Sequence, residues 1–241
     1  MPETSMADRL IVALDVPEIA TAKKLVERLD GTISFFKIGL WLAFAPGIDG
    51  LLRDLTAAGK HIFLDTKMYD IGQTVEQGVA RAAERGVSFV TVHGDSAMLE
   101  AAVRGRGDSD LRILAVTVLT SLDDAALAEM GYRYTARELV ARRSAEAARL
   151  GCDGIIASPA DDPRALRAAA GAPGLLVVTP GVRRDIDATQ DHRRHATPMA
   201  AIAGGADYLV VGRPIIASAD PLAAARSFVA DMERGAALQT A

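Results

Sequence analysis

Cysteine is nearly absent from this chain of 241 residues: Cys152 stands alone. With no partner for a disulfide and no companion at metal-ligand spacing, a disulfide scaffold and a cysteine metal site are both excluded, and a reducing cytoplasm is the expected compartment. An excess of positive charge is also missing. The formal net charge is -4 and the pI about 5.6, which leaves no electrostatic footprint for nucleic acid or an anionic membrane. Any anionic ligand must then be held by a few local basic groups. Apolar runs are short and broken by Asp, Lys, Gly or Pro, well below the ~20 residues of a spanning helix. Residues 1–8 are polar and carry no run of signal-peptide length, so neither export nor membrane insertion is expected. A GxGxxG fingerprint after the first apolar run is lacking as well, which removes the main mark of an open dinucleotide-binding sheet.

What the chain does have is a composition of 50% hydrophobic and 24% charged residues, enough to bury a large core. Apolar, β-branched runs recur at 9–15, 34–40, 61–68, 89–94, 112–119, 154–158, 175–182 and 208–213. Each is followed by an Ala/Leu/Arg-rich stretch of helical periodicity, such as 136–150. This is the pattern of repeated βα units. The runs are nearly continuous in apolar residues, as in a parallel sheet covered on both faces. Eight units in a chain close to the roughly 250 residues of an α/β barrel predict one (β/α)8 barrel domain spanning 1–241, with no linker to divide it.

Polar residues interrupt these runs toward their C-terminal ends: Asp15, Lys37, Asp65, Lys67, His93, Thr117, Thr179 and Arg213. Barrel enzymes place their chemistry at that end. Any one such residue is as easily a loop cap as a functional group; the set of them is harder to assign to capping alone. The third run reads Asp65-x-Lys67-x-x-Asp70-Ile71-x-x-Thr74-Val75. Strand alternation sets Asp65 and Lys67 on one face. Charges above an apolar barrel cost several kcal/mol each, at order-of-magnitude level, unless paired; the Asp, Lys, Asp series supplies the pairing, and Lys37 extends it. The cluster reads either as a structural ion-pair network closing the barrel or as a site of fixed charge. In the second case a carboxylate-bearing substrate would lie near an aspartate, with a lysine ammonium where negative charge develops once carbon dioxide leaves.

At the other end of the barrel mouth, Thr179-Pro-Gly181-Val-Arg183 and Val211-Gly212-Arg213-Pro follow consecutive runs. Barrels commonly bind phosphate with the loops after strands seven and eight, using backbone N–H groups and a short helix. Arg183 and Arg213 can add charge-assisted hydrogen bonds, although a lone arginine is more often a solvated surface charge. The polar segment 184–195 is the candidate lid over a bound phosphate. His93 has no second ligand nearby and reads as a hydrogen-bonding residue. His61 and His195 read as solvent-facing or loop residues, and Cys152 as a small buried hydrophobe.

The Asp65-x-Lys67-x-x-Asp70-Ile71-x-x-Thr74-Val75 series resembles the signature of the orotidine 5′-phosphate decarboxylase family. So do Leu14-Asp15, Lys37-Ile-Gly39, Val92-His93, Thr117-Val-Leu-Thr120-Ser121, Thr179-Pro-Gly181-Val-Arg183 and Val211-Gly212-Arg213-Pro-Ile215, in this order along nearly the whole chain. The resemblance implies conversion of orotidine 5′-phosphate to uridine 5′-phosphate and carbon dioxide in pyrimidine synthesis, without metal or cofactor. It implies that Lys67 protonates the C6 carbanion, flanked by Asp65 and Asp70, and that Asp70 enters the site of the neighbouring subunit of a homodimer with shared active sites. It further places Lys37 and Asp15 on the ribose hydroxyls, Thr120 or Ser121 near the pyrimidine, and Thr74 among the substrate-binding residues beside Gly181, Arg183, Gly212 and Arg213. One departure stands out. His192 falls where the family carries a glutamine contacting phosphate and pyrimidine, and a glutamine, Gln190, occurs two residues earlier. An imidazole cannot present both the donor and the acceptor of an amide in the same geometry. Two other readings remain: a magnesium-dependent sugar-phosphate decarboxylase or aldolase on the same scaffold, and a catalytically silent phosphate-ligand sensor.

Overall fold

In a computed structural model, which describes residues 5–184 and 196–239, the strands close into a parallel barrel in sequence order. They are β1 (Leu10–Ala13), β2 (Phe35–Gly39), β3 (His61–Met68), β4 (Phe89–His93), β5 (Arg112–Val116), β6 (Gly154–Ile156), β7 (Leu176–Pro180) and β8 (Tyr208–Val211). Closure comes from β1 pairing with β8, Ile11 opposite Val210. Helices separate the strands along the chain, and among the described residues none is long and apolar enough to cross a membrane.

Two apolar layers hold this arrangement, and strand alternation assigns residues to each. Ile11, Ala13, Phe35, Phe63, Phe89, Leu114, Val116, Ile156, Val178 and Val210 pack on one another inside the barrel. Their neighbours along the strands, such as Leu10, Val12, Phe36, Val90 and Val211, pack with the helices in a larger outer core. Phe35 and Phe89 meet edge to face at 4.9 Å, and Tyr208 closes on both. Burying each such side chain contributes roughly 1.5–3 kcal/mol, so the interior is a packed floor rather than a channel.

The strands begin where expected but several end early, for a local reason. The fifth run, expected to 119, stops at Val116. There the carbonyl of Thr117 accepts from Arg143 Nη1 at 2.6 Å instead of from a neighbouring strand, and the Thr117 hydroxyl donates to Ile156 O at 2.8 Å. Arg143 is delivered by the helix Ala136–Arg149, which starts in a capping box between Thr135 and Glu138. Its other nitrogen, Nη2, donates to Asp95 Oδ1 at 2.9 Å. One buried guanidinium thus ties the ends of β4 and β5 together at the barrel mouth.

Candidate active site

Inward alternation on β2 gives Phe35, Lys37 and Gly39, with Lys37 opposite both Ala13 and Phe63. Lys37 is buried, and its ammonium lies 2.9 Å from Asp15 Oδ1 and 3.5 Å from Asp65 Oδ2. Asp65 Oδ1 in turn meets Lys67 Nζ at 2.7 Å. The four charges form a neutral chain, Asp15, Lys37, Asp65, Lys67, whose middle members are deeply set, with side chains 9% and 13% exposed, while Lys67 and Asp15 are 39% and 41% exposed. The inner pair neutralise each other at low solvation, which is the condition for holding ions above an apolar floor. The outer pair face the cavity.

Lys67 does not reach this position by simple alternation. Between Leu64, opposite Val90, and Met68, opposite Val92, β3 advances four residues against two on β4, so the strand is bulged. Within the bulge Lys67 has φ 48°, the only positive value at a non-glycine among the described residues. That conformation costs roughly 1–2 kcal/mol. The bulge also leaves Thr66 Oγ1 buried without a partner among the described residues. Sequence alternation put Asp65 and Lys67 on one face of a regular strand; in the folded chain Asp65 keeps regular register with Gly39 on β2, whereas Lys67 lies within the bulge at positive φ, and both side chains line one cavity. Bulges of this kind commonly re-aim a side chain beside a functional site.

The cavity, about 320 Å³, is lined by Asp15, Lys37, Asp65 and Lys67. Its floor is the top of the inner core, Ala13, Phe63, Val116, Ile156 and Val210, and the rest of its wall comes from Val118, Leu119 and Thr120 after β5 and from the loops after β7 and β8. Those last loops contribute Gly181, Arg183, Gly212 and Arg213. Gly181 has φ 77°, a value at home only in glycine, and it turns the chain so that Arg183 follows beside the cavity. Gly212 precedes the short helix Arg213–Ile216, where the N–H of Arg213 has no acceptor within the helix by its position. Arg184, by contrast, stacks its guanidinium on Phe228 at 5.0 Å.

Three of the described residues that the family resemblance places in the site do not line this cavity. Asp70 is exposed on the turn after β3, its Oδ1 accepting from the N–H of Ile71 at 2.7 Å. Thr74 is exposed on the helix Gly72–Glu84. Ser121 lines an adjoining cavity of about 530 Å³, which shares Thr120 with the first. Gln190, His192 and most of the candidate lid lie outside the described residues, as does His195.

His93 Nδ1 is 3.0 Å from Asp95 Oδ2 and its ring meets Tyr69 edge to face at 4.7 Å, a hydrogen-bonding and packing role. His61 is exposed beside Ser88. Burial, and next the nearby Asp153 charge, push the Cys152 thiol up to about 12, which leaves it protonated and inert. Thr91, fully buried on β4, was not among the residues named from the sequence. Its signal was present, since in Phe89-Val-Thr91-Val-His93 alternation sets Thr91 inward with Phe89.

A closed barrel with paired charges and two glycine-arginine loops around one cavity at its C-terminal mouth defines a small-molecule site of the (β/α)8 enzyme class. The model of the orotidine 5′-phosphate decarboxylase / HUMPS family matches residues 8–228. An orotidine 5′-phosphate decarboxylase of Caulobacter vibrioides is 51% identical over 226 residues, 93% of this chain and 97% of that one. One of Rhodopseudomonas palustris is 50% identical over 222 residues, 92% and 93% of the two chains. The crystal structure of orotidine 5′-phosphate decarboxylase from Lactobacillus acidophilus superposes with a TM-score of 0.81 at 35% identity, covering 93% of this chain and 99% of that one. This chain belongs to the orotidine 5′-phosphate decarboxylase / HUMPS family.

Proposed function

We propose that this protein is a carboxy-lyase that converts orotidine 5′-phosphate to uridine 5′-phosphate and carbon dioxide in pyrimidine nucleotide synthesis, as a cytoplasmic enzyme using neither metal nor organic cofactor. The observation that carries the reading is the Lys67 ammonium, held 2.7 Å from Asp65 at one side of a cavity whose other loops bring Arg183 and Arg213. A nucleotide carrying a carboxylate and a phosphate matches that distribution of charge.

In this reading the C6–carboxylate bond breaks, carbon dioxide leaves, and the electron pair stays on C6. The developing carbanion is stabilised by the Lys67 ammonium, whose charge is already in place before the bond breaks. Lys67 then gives its proton to C6 and is reprotonated by solvent. Asp65 fixes the ammonium on one side; Lys37 and Asp15 take the ribose hydroxyls, and Thr120 or Ser121 lies along the pyrimidine. The Gly181, Arg183, Gly212 and Arg213 loops hold the phosphate, and binding energy gained there is expressed in the chemical step. Gln190 or His192 supplies the contact of the lid.

The active sites are shared within a homodimer. Asp70 and Thr74 are exposed and do not line their own protomer's cavity. Beside Asp70 in the chain Tyr69 and Ile71 are 66% and 69% exposed, and after β2 Trp41 and Phe44 are 58% and 81% exposed. Trp41 and Phe44 border a groove that runs into the Asp15, Lys37, Asp65 and Lys67 cluster from the side. Apolar exposure of this kind calls for a covering partner, and an isologous partner would bring its own Asp70 segment to that groove.

The test is a spectrophotometric assay with orotidine 5′-phosphate in excess EDTA, with the product identified as uridine 5′-phosphate. Turnover supports the reading. Turnover lost in EDTA and restored by magnesium, or seen only on a sugar phosphate, would contradict it in favour of a metal-dependent sugar-phosphate enzyme. Binding without any turnover would favour a silent sensor.

A further inference from the structure

The bulge that carries Lys67 is closed by one hydroxyl. Thr91 Oγ1 accepts from the backbone N–H of Lys67 at 3.0 Å and donates to Asp65 Oδ1 at 2.9 Å. The same carboxylate oxygen receives Lys67 Nζ at 2.7 Å. Backbone and side chain of Lys67 are therefore both referred to a single point on the neighbouring strand, the backbone directly and the ammonium through Asp65.

This closure sits where the sheet cannot supply it. Pairing between β3 and β4 is interrupted from Leu64 to Met68, so within the bulge the ladder that would otherwise fix the backbone is lost. Lys67 is also in the left-handed region, which a non-glycine residue keeps only when its surroundings determine it. Thr91 has no exposure to solvent. Were its hydroxyl removed, no water would have ready access to replace it, and both the Lys67 N–H and one Asp65 hydrogen bond would be lost together.

We propose that Thr91 is a positioning residue for decarboxylation: its hydroxyl holds the strained Lys67 backbone and the Asp65 carboxylate in one geometry, so that the ammonium is aimed before substrate arrives. The proposal rests on the decarboxylase reading, and it concerns aim rather than affinity. Thr91 does not line the cavity, and the ribose and phosphate groups assigned above make no contact with it. Its loss should thus appear in kcat and leave KM nearly unchanged, since misplacing a reacting group by about 1 Å costs on the order of 100-fold in rate.

The experiment compares wild type with Thr91→Val, which replaces the hydroxyl by a methyl, Thr91→Ala, which removes it without presenting a methyl to two polar groups, and Thr91→Ser, which keeps it. In Thr91→Val and Thr91→Ala we expect kcat lowered on the order of 100-fold, KM for orotidine 5′-phosphate within about threefold of wild type, and unchanged affinity for uridine 5′-phosphate. Thr91→Ser should recover most of the rate. A crystal structure of Thr91→Ala should show Lys67 Nζ displaced from Asp65. Unchanged kcat in the hydroxyl-less variants, or no recovery with serine, would overturn the proposal. So would loss of nucleotide binding in step with kcat, or failure of both hydroxyl-less variants to fold, because either makes the hydroxyl a support of the fold. Absence of decarboxylation by wild type itself would instead overturn the functional reading; the Thr91→Ala structure then decides the clamp alone, with Lys67 and Asp65 unmoved counting against it.

Discussion

A Cβ on Gly39 would stand 2.7 Å from Asp15 Oδ1 and 3.1 Å from Lys37 Nζ. The Asp15–Lys37 pair therefore closes over a position that a side chain could occupy only by displacing the pair. Gly39 itself has φ −81° and ψ 174°, a backbone conformation that alanine adopts without strain. Gly39→Ala should accordingly fold, yet push Asp15 and Lys37 apart and lower kcat/KM on the order of 100-fold. Steady-state kinetics beside a thermal melt checks this; kcat/KM within threefold of wild type would show that the pair need not be closed.

Arg213 begins the short helix after β8 and lines the cavity. Arg213→Ala should reduce kcat/KM for orotidine 5′-phosphate by roughly 1.5–3 kcal/mol, the range for a hydrogen bond to a charged group, which is about 10- to 150-fold. With orotidine lacking the phosphate the same variant should match wild type, because the lost contact was absent already. Equal losses on both substrates would assign Arg213 to the fold.

How far the sequence revealed this site depends on which physical rule governed each residue. The barrel was legible because its strands are buried on both faces, and continuous runs such as Leu10–Ala13 and Tyr208–Val211 say so directly. Lys37 was legible as a charge that interrupts an apolar run toward its C-terminal end. Asp65 and Lys67 were legible as a pair, but the rule used for them fails locally: the bulge, with Lys67 at positive φ, leaves no mark in residue type that distinguishes it from alternation. Thr91 carries only the weak mark of an inward position, because a threonine inside a strand is ordinary by propensity, and its importance lies in two partners on another strand. The Arg143 tie between β4 and β5 was hidden for the same reason, its helix position reading as one more charged residue in an Arg-rich stretch.

Cys152 offers a check on burial that is independent of catalysis. Its thiol is raised to about 12 from the ordinary 9.0, chiefly by desolvation. A thiol kept protonated in the folded chain and free to ionise in the unfolded one contributes stability that is fully present below pH 9.0 and is lost as pH rises toward 12. Native protein at pH 8 should resist iodoacetamide until it is unfolded, and Cys152→Ser should flatten the decline of melting temperature above pH 9. Rapid alkylation of the native protein would contradict the assigned environment.

The proposed sharing of active sites makes a quantitative prediction. Lys67→Ala and Asp70→Ala proteins, each nearly inactive, are dissociated and remixed in equal amounts. If Asp70 acts across the interface, a mixed dimer gathers both lesions into one site and leaves the other whole. Half the dimers are then mixed with half their sites intact, so roughly a quarter of wild-type activity should return. No recovery, with subunit exchange verified, would place Asp70 in its own chain's site and leave the decarboxylation reading standing.

The most direct test of the account follows the proton. In D2O, wild-type protein acting on orotidine 5′-phosphate should deliver one deuterium to C6 of uridine 5′-phosphate, and, run in reverse, should exchange the C6 hydrogen of uridine 5′-phosphate itself. With Lys67→Ala, folded and still binding the nucleotide, both decarboxylation and C6 exchange should fall below a few per cent of wild type, an order-of-magnitude threshold for a dispensable group. A Lys67→Ala protein that keeps turnover or C6 exchange above that level would contradict the assignment of Lys67 as the proton donor.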